Sequence, residues 1–277
     1  MEKLRKLFAK EVHTQRQKIF VRRKVVVTHK DEIWAMDLAS MENISKDNKD
    51  FKFILCVIDV FSKFAWCIPL KNKSAPTVLD AVKKIVAESG RQPNKIWCDQ
   101  GTEFYNKLFA TWNKSKNITM YSTFGDSKSV VAERFIRTIR TGIEKIFTES
   151  QTKNWIKILP ELVKTYNNTK HSTIKMTPVE ASKPENEVIV YINLTKLPKT
   201  KVVKQKFVVG DKVRISKIKK TFDKGYVANW SSEIFIITKV LQTTPITYKI
   251  KDKLGEDIIG SFYTQELLKT AIPDDFK

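Results

Sequence analysis

The chain is 277 residues long, 42% hydrophobic and carries a formal charge of +21, so it exceeds a typical single domain, can build packed cores and suits a polyanionic partner. Its three cysteines, Cys56, Cys67 and Cys98, are odd in number and lie in apolar runs, which argues against a disulfide framework and for reduced core residues of an intracellular protein. No apolar run reaches membrane-spanning length and the N-terminus has no signal-peptide core, so neither membrane insertion nor export by that route is expected.

The positive excess is +7 over residues 1–28, +6 over 29–195 and +8 over 196–277, a spread that suggests a polyanion held by several parts at once. Residues 1–28 read as a basic arm, helical to about Phe20, that either orders on its partner or is a solvated tail. From Glu32 the pattern is strand-like. Ile33–Leu38, Phe51–Asp59 and Phe64–Leu70 are rich in β-branched and aromatic residues and are expected as an antiparallel meander. Thr77, Val78, Ala81, Val82, Ile85 and Val86 then repeat at helical spacing, with Ser74 as cap and Gly90 as stop.

A buried strand, Lys95–Cys98, is followed by a helix around Phe104–Trp112 and a short strand, Ile118–Tyr121. This order makes a mixed sheet flanked by helices. Ser122–Ser129 is turn-rich and aperiodic, and is expected as a mobile loop. Val131–Phe147 and Trp155–Tyr166 read as amphipathic helices that complete a unit over residues 29–182. Residues 183–206 read as a linker, 207–270 as a small β-barrel of short strands, and 271–277 as a tail.

The candidate chemistry lies in three acids. Asp99 ends the strand Lys95–Cys98 just before the Gly101 turn, a strand tip of the kind where open α/β sheets place their sites. An acid there ordinarily starts a turn or caps a helix, but Asp37 inside the first strand and Glu133 at the start of a long helix keep it company. If the two strands are neighbours, the three carboxylates converge on one sheet edge, where mutual repulsion makes sense mainly around a metal. His13, His29 and His171 are scattered and no cysteines pair in sequence, so all-oxygen ligation of Mg²⁺ or Mn²⁺ is expected and zinc is not. Two such ions about 3.5–4 Å apart serve phosphoryl transfer on a nucleic-acid strand. Arg137 and Arg140, four and seven residues after Glu133, share its helical face and either grip phosphates or, for Arg137, simply pair with Glu133.

Five stretches in order resemble the retroviral-type integrase family: Trp34-Ala35-Met36-Asp37-Leu38; Val57-Ile58-Asp59-Val60-Phe61-Ser62-Lys63-Phe64; Asp99-Gln100-Gly101-Thr102-Glu103-Phe104; Val131 to Ile139 around Glu133; and Tyr166-Asn167-Asn168 through His171-Ser172 to Ala181. Phe222 to Tyr226 with Asn229-Trp230 looks most like the integrases of Maverick/Polinton transposons and virophages. The resemblance implies an α/β fold: an RNase H-like mixed sheet flanked by helices, plus a small C-terminal all-β SH3-like or chromodomain-like barrel.

By the same resemblance Asp37, Asp99 and Glu133 are the catalytic, metal-binding acids, and Lys128, Ser129, Arg137 and Arg140 contact element-end DNA. The implied activity is DNA integration, a 3′-end processing step followed by strand transfer, by a homodimer or tetramer. Its partners would be element and target DNA, with chromatin a further partner through the barrel, in the host nucleus or in a virion. Two departures stand out. Glu133 follows Asp99 by 34 positions, slightly tighter than the commonest retroviral spacing, and the zinc-binding His-His-Cys-Cys unit that usually precedes the core is not encoded. The alternatives are an RNase H-fold nuclease that never joins, and a domesticated DNA- or chromatin-binding protein whose triad is a relic.

Overall fold

The structure, a computed structural model, describes residues 2–17, 19–23, 25–122, 130–196, 205–217 and 227–273. It divides into two compact units, residues 26–196 and residues 1–25 together with 197–277. Helix α1 (Glu2–His13) belongs to the second.

The larger unit opens with strands β1 (Ile33–Ser40), β2 (Phe53–Asp59) and β3 (Ala65–Leu70), the expected antiparallel meander. Helix α2 (Ala75–Ser89) starts on an extended Ser74 and ends at Gly90, whose φ of 64° lies in the left-handed region that glycine tolerates. It carries the chain to β4 (Lys95–Trp97), which pairs parallel to β1. After α3 (Lys107–Ser115), β5 (Thr119–Tyr121) pairs parallel to β4, so the sheet order is β3-β2-β1-β4-β5. Helices α4 (Val130–Ser150) and α5 (Trp155–Asn167) follow.

Strand alternation sorts β1 onto two cores. Ala35 and Ala39 pack with Ile54, Cys56 and Ile58 under Phe135, Ile139 and Ile143 of α4 and Trp155 of α5. Trp34 and Met36 pack on the opposite face with Leu55, Val57, Val82 and Ile85. Each large apolar side chain so buried contributes roughly 1.5–3 kcal/mol. Because Asp37 shares the parity of Ala35 and Ala39, it must rise on the α4 side.

Of the connection expected over residues 183–206, the stretch up to Lys196 is more ordered than its weak period suggests. After the four-residue helix α6 (Pro178–Ala181) and a 3-10 turn, helix α7 (Glu187–Thr195) buries Val190 in the core of the larger unit, and the division between units falls after Lys196. The run Val-Ile-Val-Tyr-Ile is apolar on all sides, so it has no amphipathic period to read.

In the smaller unit five antiparallel strands, β6 (Lys212–Ile215), β7 (Phe235–Leu241), β8 (Thr247–Lys251), β9 (Phe262–Tyr263) and β10 (Leu267–Lys269), take the order β10-β6-β7-β8-β9. The two outer strands are consecutive in sequence and joined by the 3-10 turn Thr264–Glu266, an SH3-like arrangement. The segment expected as an arm helical to about Phe20 is instead bound to this sheet, and its helix stops at His13. Its terminal carbonyls are taken up by other residues: Val12 accepts from the backbone of Asn229 at 2.8 Å, and Thr14 accepts from the Trp230 indole at 2.8 Å. Glu11 accepts from the buried Arg214 at 3.0 Å and from the Thr270 hydroxyl at 2.7 Å. Among the described residues, no helix is long and apolar enough to cross a membrane.

Candidate active site

The parallel register Ala35↔Trp97, carried two residues on, sets Asp37 opposite Asp99. Trp97 shares a core with α4, whereas Cys98 faces the other core, so Asp99 rises on the same side as Asp37. Both are partly buried. The Asp37 carboxylate accepts from the Leu38 N–H at 2.7 Å, and that of Asp99 from the Gly101 N–H at 3.3 Å. The Cys98 thiol, on the opposite face of the sheet and next to Asp99 in the chain, is pushed up to about 12 by burial and then by the fields of Asp99, Asp37 and Glu103. A Cβ on Gly101 would fall 2.5 Å from the Glu103 carboxyl, so glycine there is what lets the Glu103 side chain fold back over the turn.

Helix α4 buries Ala132, Phe135, Ile139 and Ile143, and so turns Glu133, Arg137, Arg140 and Glu144 outward. These side chains line an open groove of about 530 Å³ whose other wall is Asp37, Leu38 and Ala39. Arg140 reaches across it to donate to the Ser40 carbonyl at 2.7 Å. The structure therefore brings Asp37, Glu133, Arg137 and Arg140 together in one groove and aligns Asp99 with Asp37. Lys128 and Ser129, with residues 123–129 generally, lie outside the described residues. Glu144 was not anticipated, although it stands eleven residues after Glu133 and so returns to the same face.

The groove acids are all hard oxygen donors without imidazole or thiolate, a set that fits Mg²⁺ or Mn²⁺ and not zinc. Their convergence is incomplete: among the described residues, no three histidine, cysteine or acidic side chains come together as a metal cluster.

Other motif residues are structural. Asp59 accepts from the backbone of Phe61 and Ser62, from the Ser62 hydroxyl, and from Arg91 at 2.8 Å. Arg91 also holds Asp31 at 2.6 Å and lies over the rings of Phe64 and Trp66. Burial raises the Asp59 carboxyl, against the opposing pull of Arg91. Asn167 pins the start of β3 by bonding both N–H and C=O of Ala65 at 2.9 Å. Lys63 is driven down to about 8 by burial while donating to the Val60 carbonyl at 2.7 Å.

Residues 27–123 match the Integrase core domain family. A transposon-derived protein of Caenorhabditis elegans is 30% identical over 233 residues, which cover 84% of this chain and 77% of that protein. The chain belongs to the integrase core-domain family. This integrase-family chain also matches the Gag-Pol polyprotein of walleye dermal sarcoma virus, at 31% identity over 110 residues, 39% of this chain and 6% of the polyprotein. Among solved structures it is similar to a chain of the simian T-cell lymphotropic virus intasome in complex with PP2A regulatory subunit B56 gamma. That likeness has a TM-score of 0.66 at 16% identity, covers 95% of this chain and 87% of that one, and shows the shared fold. The RNase H-like architecture implied by the motif order is thus the observed one.

Proposed function

We propose that this protein is a DNA integrase that cleaves near the 3′ end of a mobile element and joins the freed 3′-hydroxyl to a target phosphodiester. The observation that carries the reading is the groove in which Asp37 and Glu133 face each other beside Arg137 and Arg140, with Asp99 in register next to Asp37. Asp37, Asp99 and Glu133 would hold the divalent ions, which when bound supply electrostatic stabilisation of the reacting phosphate oxygens. Arg137, and Arg140 from its anchor on Ser40, would grip flanking phosphates. Lys128 and Ser129 are proposed as further contacts to the element end.

Joining two element ends calls for at least a dimer, a reading supported by the intasome to which the fold is similar. The transposon-derived relative supports a mobile-element origin. For the C-terminal sheet DNA is the proposed partner, and a histone-tail cage is disfavoured. The Trp230 indole donates to Thr14, and Tyr263 packs on Phe20 while its hydroxyl accepts from the Arg23 N–H at 2.9 Å.

The competing reading, a non-catalytic DNA-binding protein, is favoured by the incomplete convergence of the acids. A strand-transfer assay with a pre-cut donor end and Mg²⁺ separates the two, and separates both from a hydrolytic nuclease. Joined product supports integration. Cleavage without joining supports the nuclease, and DNA binding without either reaction supports the binding protein.

A further inference from the structure

Cys56 and Cys67 are neither part of the groove nor ordinary isolated core thiols. They stand directly opposite one another on β2 and β3, with their sulfurs 3.7 Å apart. The Asp59 N–H donates to the Phe64 carbonyl at 2.8 Å, which marks that pair as hydrogen-bonded; counting back by the period of two, Cys56 and Cys67 form a non-hydrogen-bonded pair. Such pairs hold their Cα atoms about 4.5 Å apart, inside the range that a disulfide spans, and only the sulfurs must close to about 2.05 Å.

Access is one-sided. Cys56 is fully buried, whereas Cys67 is partly exposed and lines a cleft of about 300 Å³ together with Trp66, Glu88, Ser89 and Leu159. A small oxidant therefore meets Cys67 first, with Cys56 behind it as the only cysteine in reach among the described residues.

We infer that Cys56 and Cys67 are a peroxide-oxidisable dithiol that closes to a cross-strand disulfide. The Cys67 sulfur, having lost its proton, attacks one peroxide oxygen and becomes a sulfenic acid as the O–O bond breaks and water is released. The Cys56 sulfur then gives up its proton and attacks the Cys67 sulfur, forming the S–S bond and expelling the sulfenic oxygen as a second water. Two thiols are oxidised by two electrons and one peroxide is reduced by two. Because burial and the neighbouring Cys56 hold the Cys67 thiol well above its usual value, the first step is slow. The bridge would pin the edge strand β3 to β2, whose Cys56 is the register partner of Asp37.

The test treats the full-length chain with hydrogen peroxide, alkylates residual thiols under denaturing conditions and maps tryptic peptides by mass spectrometry. Lys63 separates the two cysteines, so the bridge joins peptides Phe53–Lys63 and Phe64–Lys71. The expected result is that linked pair, lost on reduction, with Cys98 still alkylated. In Cys56→Ser the same treatment is expected to leave Cys67 as a sulfenic acid captured by dimedone, because the resolving thiol is gone. Recovery of both cysteines as free thiols overturns the inference, and so does as much dimedone adduct on Cys67 in the unmutated chain as in Cys56→Ser.

Discussion

Removing Arg91 strands a charge in the core. Asp59 has no exposed surface, and Arg91, itself 14% exposed in its side chain, is its cationic partner at 2.8 Å. Deleting one member of a buried pair typically costs about 3–5 kcal/mol, and Arg91→Ala also loses the contact of the guanidinium with Trp66 at 4.9 Å. The Ser62 and Phe61 donors survive, so the lower part of that range is expected. Losing Arg91 raises further a carboxyl that burial already raises. A raised carboxyl favours folding while protonated, below its unfolded value near 3.9, and that contribution is lost as pH climbs through the folded value. The destabilisation should therefore be about 3 kcal/mol at pH 8 and clearly smaller at pH 5. Urea titration followed by tryptophan fluorescence reports it, because five of the six tryptophans lie in residues 26–196. A difference below about 1 kcal/mol at pH 8, or one independent of pH, would refute the reasoning.

Gly142→Ala places a Cβ 2.6 Å from Leu162 where α4 meets α5, so a loss of about 1–3 kcal/mol is expected in the same titration, partly recovered by adding Leu162→Ala. The His171 imidazole is held down to about 4 by burial and then by Lys63, whereas the unfolded chain takes up that proton near 6.5. Stability should accordingly fall as pH drops from about 6.5 toward 4, and His171→Gln should flatten that loss in parallel melts. Arg137→Ala is expected to weaken donor-DNA binding and reduce the salt slope by about 1, measured by fluorescence anisotropy over a range of salt. An unchanged slope removes that side chain from the phosphate path.

Strand parity and helical period made most of the larger unit legible. The alternation Trp34, Ala35, Met36, Asp37 already separates two core-facing sets, and α2 runs between the expected Ser74 and Gly90. The face shared by Glu133, Arg137 and Arg140 follows from spacing alone, and the groove has it. Helix α7 was not legible, because its Val, Ile and Tyr residues leave Val188, Ile189 and Ile192 exposed around one buried Val190. Nor was the seat of helix α1 on the C-terminal sheet, which depends on pairs such as Glu11 with Arg214, 203 positions apart. The Arg91 cluster was hidden for the same reason: Arg91 lies 60 and 32 positions from Asp31 and Asp59, and the three meet only once the turn after β2 is folded.

The central claim is that Asp37, Asp99 and Glu133 share divalent ions. Anomalous diffraction from crystals equilibrated with Mn²⁺ tests it most directly. The expected result is one or two peaks bridging Asp37 and Asp99, with Glu133 on the same ions at coordination distances of about 2.0–2.2 Å, lost in Asp99→Asn. Saturating Mn²⁺ that leaves the three carboxylates on no common ion would contradict the account.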